Sequence, residues 1–378
     1  MRRPGVRVAA AAAGLLLVVA MTAGRGVAQG LHKYYMYVCA ESEDEVALLR
    51  FDEAAGGGSL QVVKRIPVGS FPADIEGPHG ITVHPDGRTW YVSIAHGTPM
   101  GSVHKYATGT DEWLGDVRVG MFPASMDISR TTGLLYVVNF NLHGDMVPST
   151  VSVIETSSMS EVARPETGIM PHGTRLDAAG RKAYHVTMMS DELVELDALT
   201  FKVARTLPLS EHAGHAMGDA DEAAAMMKQM LPMMVQPTWV SAPTAAGKVY
   251  VAGNNKATIF EVDVDKWAIT RTFTDTGAGP YNLDVTKDGK TLVVTYKKAA
   301  SIGIWDLETG KETARLDTTR TVPHGVAISP DGRYAFVTLE GVGGEPGTVE
   351  AYDLASRKRV GAADIGKQAG GIAFWKVE

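Results

Sequence analysis

Three times in this chain a histidine stands between a proline and a glycine: Pro78-His79-Gly80, Pro171-His172-Gly173 and Pro323-His324-Gly325. Neutral imidazole is a good ligand for first-row divalent metals, and three imidazoles that meet at one point leave a coordination position open. A metal held in this way can activate water or a substrate, or mediate redox chemistry, which points to oxidoreductase and lyase as the enzyme classes to consider. The glycine after each histidine lets a neighbouring backbone come close. A structural reading competes: the ring N–H bonds a neighbouring strand carbonyl, and Pro-x-Gly is turn chemistry alone. The choice depends on whether the fold brings three distant motifs to one place.

The motifs are phases of one repeat. Prolines open six segments, at Pro78, Pro123, Pro171, Pro237, Pro280 and Pro323, and a turn glycine follows nine or ten residues later, at Gly87, Gly133, Gly180, Gly247, Gly289 and Gly332. The intervals between the prolines are 45, 48, 66, 43 and 43 residues. Periods of this size belong to solenoids, arrays and propellers. Each unit holds four strand-like runs; in the second these are Gly80–Val83, Thr89–Ile94, Ser102–Tyr106 and Trp113–Val119. Four short strands per unit describe a propeller blade. Tyr35–Cys39, Val46–Phe51 and Leu60–Ile66 read as a unit without its first strand, and Gly370–Trp375 reads as the missing strand. The expectation is an all-β, seven-bladed β-propeller over residues 29–378, closed by N- and C-terminal strands that share one composite blade. Such closure removes exposed sheet edges.

The runs Tyr91-Val92-Ser93, Tyr136-Val137-Val138-Asn139 and Tyr250-Val251-Ala252-Gly253-Asn254 resemble the YVTN-type β-propeller repeat family. So do the Pro85-Asp86-Gly87 and Pro330-Asp331-Gly332 turns and the Trp305-Asp306-Leu307-Glu308-Thr309-Gly310 segment. The resemblance implies fold more than function, because propellers of this kind act as binding surfaces, cofactor handlers and enzymes alike. It also implies that first strands line a central channel and begin on one face. His79, His172 and His324 would then occupy matching positions at one channel mouth, with Ala124, Thr238, Tyr281 and Ala369 at the equivalent places of the other blades. His96, His143, Glu41 and Glu340 would lie in loops of the same face. Zinc-dependent amidating lyases, also propellers carrying Pro-His-Gly, use channel histidines similarly; that likeness is confined to the short motif.

The long interval of 66 residues marks an insertion between blades four and five, residues 210–236, rich in His and Met. Asp219 and Glu222 resemble a capping box and Pro232 ends the run, so a short helix is expected between them. Met226, Met230 and Met233 would share one face, and Met227, Met230 and Met234 an overlapping one. Such a stripe packs on the propeller as gap-filler or forms a lid over the channel. His212, His215 and Met217 accompany it, and thioether with imidazole suits copper, which makes copper the favoured metal over zinc or iron.

Arg2, Arg3 and Arg7, an apolar run over Val8–Met21 and the small residues Gly26-Val27-Ala28 read as a secretory signal peptide, residues 1–28. The expected location is periplasmic or secreted. Removing the four Arg of this segment from 36 basic residues leaves 32 against 43 acidic, a balance of −11. That argues against nucleic acid and anionic membrane as partners. No further stretch reads as a membrane span, and a monomer is expected. Cys39 is the only cysteine, so no intramolecular disulfide forms and the thiol reads as core. The acidic run Glu41-Ser42-Glu43-Asp44-Glu45 reads as a solvated loop. No Gly-x-Ser-x-Gly elbow and no Cys-x-x-Cys-His haem attachment occurs.

Function then lies between classes. The first is an exported metal-binding propeller with His79, His172 and His324 as ligands and His96, His143, His212, His215 and Met217 as secondary candidates. The second is a non-catalytic module that docks a periplasmic partner protein, an envelope component, a small molecule or a haem-like cofactor. A metal-independent hydrolase ranks last, because only Glu41 and Glu340 offer convergent carboxylates.

Overall fold

The computed structural model describes Met1 and residues 31–71, 73–96, 100–214 and 229–378. The expected signal peptide, apart from Met1, lies outside the described residues. His32–Glu378 forms one compact unit, a seven-bladed β-propeller. In blade two Pro78–Val83, Thr89–Ile94, Ser102–Ala107 and Trp113–Arg118 pair antiparallel in that order. The inner strands are almost wholly buried, and the outermost is largely exposed. The composite blade is built from Ala369–Val377, Lys33–Ala40, Glu45–Ala54 and Gly57–Pro67. The chain ends are sewn together there: Lys33 N–H donates to Glu378 O at 2.8 Å and Glu378 N–H to Lys33 O at 2.9 Å. In blade three the outer strand is broken into Ser160–Ala163 and Glu166–Ile169, both paired with Pro148–Glu155. Pro165 stands in the gap, and proline has no N–H to give a ladder.

Seven clusters of buried apolar side chains hold the described residues together, and each sits between two neighbouring blades. Tyr34 and Phe51 of blade one pack on Tyr334 and Phe336 of blade seven, so the last interface closes like the others. Cys39 is fully buried in the cluster between blades one and two, and burial raises its thiol pKa well above the usual value.

Two local devices recur at the channel end of every blade. The residue before each first strand is left-handed: Gly77, Phe122, Met170, Gln236, Gly279, Val322 and Gln368. The carbonyl of each accepts the N–H of the residue after the second strand of its blade, from Ala95, Phe140, Met188, Asn254, Lys297, Glu340 and Glu41 respectively, at 2.8–3.2 Å. The register then slips within the first strand, between Pro78 and Ile81 in blade two and at the matching place in the others. A bulge re-aims side chains, and here it falls on the histidines. The N–H groups of Gly80, Asn282 and Gly325 that it frees are taken by Ser93, Thr295 and Thr338 hydroxyls at 2.7, 3.0 and 2.7 Å.

The insertion differs from expectation. Residues 215–228, with His215, Met217, Met226 and Met227, lie outside the described residues, so the expected helix is not supported; among the described residues of the segment, Gln229 and Met230 are helical. Met230 and Met234 are buried in the cluster between blades three and four, and Met233 is exposed. Met230 and Met234 therefore fill an inter-blade gap. Asp191 ties the two ends of the segment, accepting from Ser210 Oγ and from Val235 and Gln236 N–H at 2.7–2.8 Å.

The glycine of the Pro-His-Gly motif is explained by close approach. A Cβ on Gly80 would meet Ala124 O of blade three at 2.2 Å, whereas one on Gly344 meets nothing within 4 Å. Gly80→Ala should cost about 1–3 kcal/mol and Gly344→Ala no more than about 0.5 kcal/mol, read from urea midpoints. Equal effects would refute the strand-contact explanation.

Candidate functional site

First strands supply an inner ring of side chains and the residues after second strands a ring behind it. His79, His172, His324 and Tyr281 belong to the first, and Glu41, Glu340 and Lys297 to the second. The fold does bring the three Pro-His-Gly motifs together. The His79 ring centroid is 6.1 Å from that of His172 and 5.5 Å from that of His324, and the histidines are 2–9% exposed. Phe122, Phe140 and Trp239 pack edge-on against His79 and His172 and form an apolar wall.

Each histidine is held differently. His79 Nδ1 bonds Glu41 Oε2 at 2.9 Å, which leaves Nε2 available. His172 Nδ1–H donates to Thr238 O at 2.8 Å, and its Nε2 lies 3.2 Å from the Tyr281 hydroxyl. His324 Nε2 is 3.8 Å from Glu340 Oε1, and its Nδ1 is buried without a partner. A buried polar group left so costs about 1–3 kcal/mol. Burial, joined by the charge of His79, pushes His172 down to about 3. Burial and then the Lys297 ammonium hold His324 well below its usual value. Both rings are therefore neutral near pH 7, the form that ligates metals.

Glu41 is the centre of the polar network. It lies in the short 3-10 turn Glu41–Glu43 and is 4% exposed, so the acidic run is not the solvated loop expected from its composition. Asp44 of the same run accepts the N–H groups of Glu76 and Gly77. Glu41 Oε1 takes His96 Nε2 at 2.7 Å, and His96 Nδ1 is 3.2 Å from His143 Nε2. Burial alone would raise the Glu41 carboxyl, but His79 and His96 overcome this and hold it well below the usual range. Lys297 Nζ pairs with Glu340 Oε1 at 2.7 Å and sits 4.2 Å from the Tyr281 ring centroid, a cation–π contact. Burial would lower the Lys297 ammonium, yet Tyr281 and Glu340 keep it raised. Two carboxylates thus face one ammonium at the mouth.

Of the secondary candidates, His96 and His143 join this network. His212 lies in a turn tied to Ser210 and Ser190, and His215 and Met217 lie outside the described residues. His185 is buried inside blade four, bonded to Thr167 Oγ1 at 2.6 Å, away from the mouth network. Lys297 and Tyr281 were missed as functional groups by sequence reasoning. The signal was present: Ala95, Phe140, Met188, Asn254, Lys297 and Glu340 all fall 17 residues after their blade proline. Among the described residues no three His, Cys, Asp or Glu side chains are closed round one point as a metal-holding group. His79 alone of the three stands within about 6 Å of both other rings.

The fold and site define a seven-bladed β-propeller with a histidine-ringed channel mouth. No family model matches the sequence, and no curated protein matches it. Among solved structures the chain is similar to one of Kuenenia stuttgartiensis hydrazine synthase, with a TM-score of 0.60 and 19% identity over 76% of this chain and 80% of that one. At that identity the likeness concerns the fold alone.

His172 and His185, both pushed down to about 3 by burial, bind fewer protons folded than unfolded once the pH is below the ordinary 6.5. Their contribution to stability is complete above about pH 6.5 and is lost as pH falls toward 3, at ~1.4 kcal/mol per pH unit for each. His185→Gln should reduce the slope of unfolding free energy between about pH 6 and 4 by one proton. Urea titrations across that range read it, and an unchanged slope would show that His185 is not buried neutral.

Proposed function

We propose that the channel mouth binds a first-row divalent metal through His79, His172 and His324, and that the protein is an exported metal-binding propeller. The observation that carries this reading is the convergence of three rings, two of them held neutral, with one buried nitrogen lacking a partner. Imidazoles sharing a metal through ~2 Å bonds place their centroids roughly 5–5.5 Å apart; His79 stands 5.5 and 6.1 Å from the other two rings, and Tyr281 packs on both of those at 5.5 and 4.7 Å. Glu41 on His79 Nδ1 and Thr238 O on His172 Nδ1 orient these two rings; His79 Nε2 is then available, and His172 Nε2 would exchange the Tyr281 hydroxyl for the metal. Ligating histidines are habitually oriented in this way. Copper remains favoured, now on the affinity order of imidazole sites rather than on a methionine lid; zinc and iron fit the same donors. The YVTN-type repeat resemblance and the signal-like N-terminus support export to the periplasm or beyond.

Elemental analysis of protein purified without chelator tests this. About one equivalent of copper or zinc should be retained and should be lost from a His79→Ala, His172→Ala, His324→Ala variant of intact fold. Glu41→Gln should weaken binding by about 10–100-fold. No metal in any of these proteins, even after reconstitution, would leave the mouth as a docking surface for a partner or an organic cofactor.

A further inference from the structure

Beneath the histidines the channel continues as a small cavity of about 30 Å³, lined by His79, His324, Trp239, Asn282, Arg175 and small residues that include Gly80 and Gly371. Three polar atoms on residues lining this one cavity are buried without partners: Asn282 Oδ1, Trp239 Nε1 and His324 Nδ1. Their residues are 3, 8 and 5% exposed. Buried polar groups are normally bonded, so three orphans at one cavity mark a place where something else supplies the bonds. They comprise an acceptor, a donor and an imidazole nitrogen able to be either.

We propose that this channel is a binding site for a slender, neutral molecule that carries both a hydrogen-bond donor and an acceptor, of which a small carboxamide is the simplest kind. Slenderness follows from the mouth, where the His79 ring stands only 5.5 and 6.1 Å from its neighbours. Neutrality follows from the wall. Arg175 lies 4.8 Å over the Trp239 ring and donates to Thr174 O at 2.7 Å. Asp127 and Asp284, buried carboxyls that accept backbone N–H groups at 2.8–2.9 Å, lie within its field; burial raises both, against the pull of the guanidinium. The described wall thus sets two buried carboxyls against one guanidinium, which gives an anion no net attraction. The occupant would donate to Asn282 Oδ1 and accept from the Trp239 indole.

Formamide and formate, equal in heavy-atom count and different in charge, discriminate. Indole N–H resonances of the purified protein are followed by NMR during titration with each, and Trp239→Phe assigns the reporter among the six tryptophans. Formamide should shift the Trp239 signal saturably and formate should not. Asn282→Leu should weaken formamide binding about tenfold and leave the other indoles in place. No saturable shift would mean that the channel holds water only, and an equal or greater response to formate would mean an anion site; either overturns the proposal. The titration on the unsubstituted protein stands even if a variant fails to fold. Asn282 and Trp239 are not proposed metal ligands, so formamide binding without retained metal sinks only the metal reading. Metal retained without formamide binding sinks only this one.

Discussion

Each blade begins with a carbonyl held by a left-handed residue, and that carbonyl fixes both rings of side chains at the channel mouth. It anchors the first strand, whose second residue faces the channel, and it receives the N–H of the residue that ends the second strand. Five of the seven left-handed residues are not glycine, and Val322 is β-branched. Such conformations cost of order 1–3 kcal/mol each and persist only where the surroundings over-determine them. Here the hydrogen bond and, in six blades, the proline that follows do so. The two glycines stand where side chains crowd: a Cβ on Gly77 would meet the His96 ring at 2.3 Å, and one on Gly279 would meet Lys298 at 2.7 Å. The backbone is thus most permissive beside the polar network.

That network obeys the rule that buried charge must be paired. Glu41 divides its oxygens between two imidazoles, and Glu340 takes Lys297. Burial, and after it Lys297, keeps His324 neutral, while Glu41 orients His79. Removing either acid would leave a buried partner without its counterpart, so the acids stabilise the site and set its chemistry at once.

The blades were legible in the sequence because proline, turn glycine and alternating strands are local signals, and each blade repeats them. The composite blade was legible as well, since the strands at the two ends lack complementary parts. Convergence of His79, His172 and His324 was not, because it depends on channel width and on a bulge that shows only in the pairing register. Glu41 was misread because composition describes a run of acids, whereas burial is decided by what packs on each one: Glu41 meets two histidines, and Glu45 pairs with Arg65 at the surface. Lys297 was overlooked because lysine carries no chemical signature alone. Its position 17 residues after Pro280, the same as that of Glu340 after Pro323, gave its place in the ring. The methionines were ambiguous because gap-filling and ligation call for the same residue, and burial of Met230 and Met234 assigns those two to packing.

The structural and the metal readings of the motif turn out to concern different nitrogens. His172 donates Nδ1–H to the Thr238 carbonyl, as a purely structural histidine would. That bond also fixes the tautomer and leaves the lone pair of Nε2 directed to the Tyr281 hydroxyl. His79 is anchored through the same atom by Glu41. A histidine placed only to tie strands gains nothing from a buried second nitrogen, and asparagine or threonine would serve as well; Thr238 fills the equivalent position of blade five with bonds to Tyr281 O and Pro280 O alone. His324 departs furthest from the structural pattern, because neither of its ring nitrogens has a hydrogen bond within 3.5 Å among the described residues while the ring stays buried and neutral. Strand packing offers no reason to bear that cost, and a ligand at the mouth or in the channel below it does.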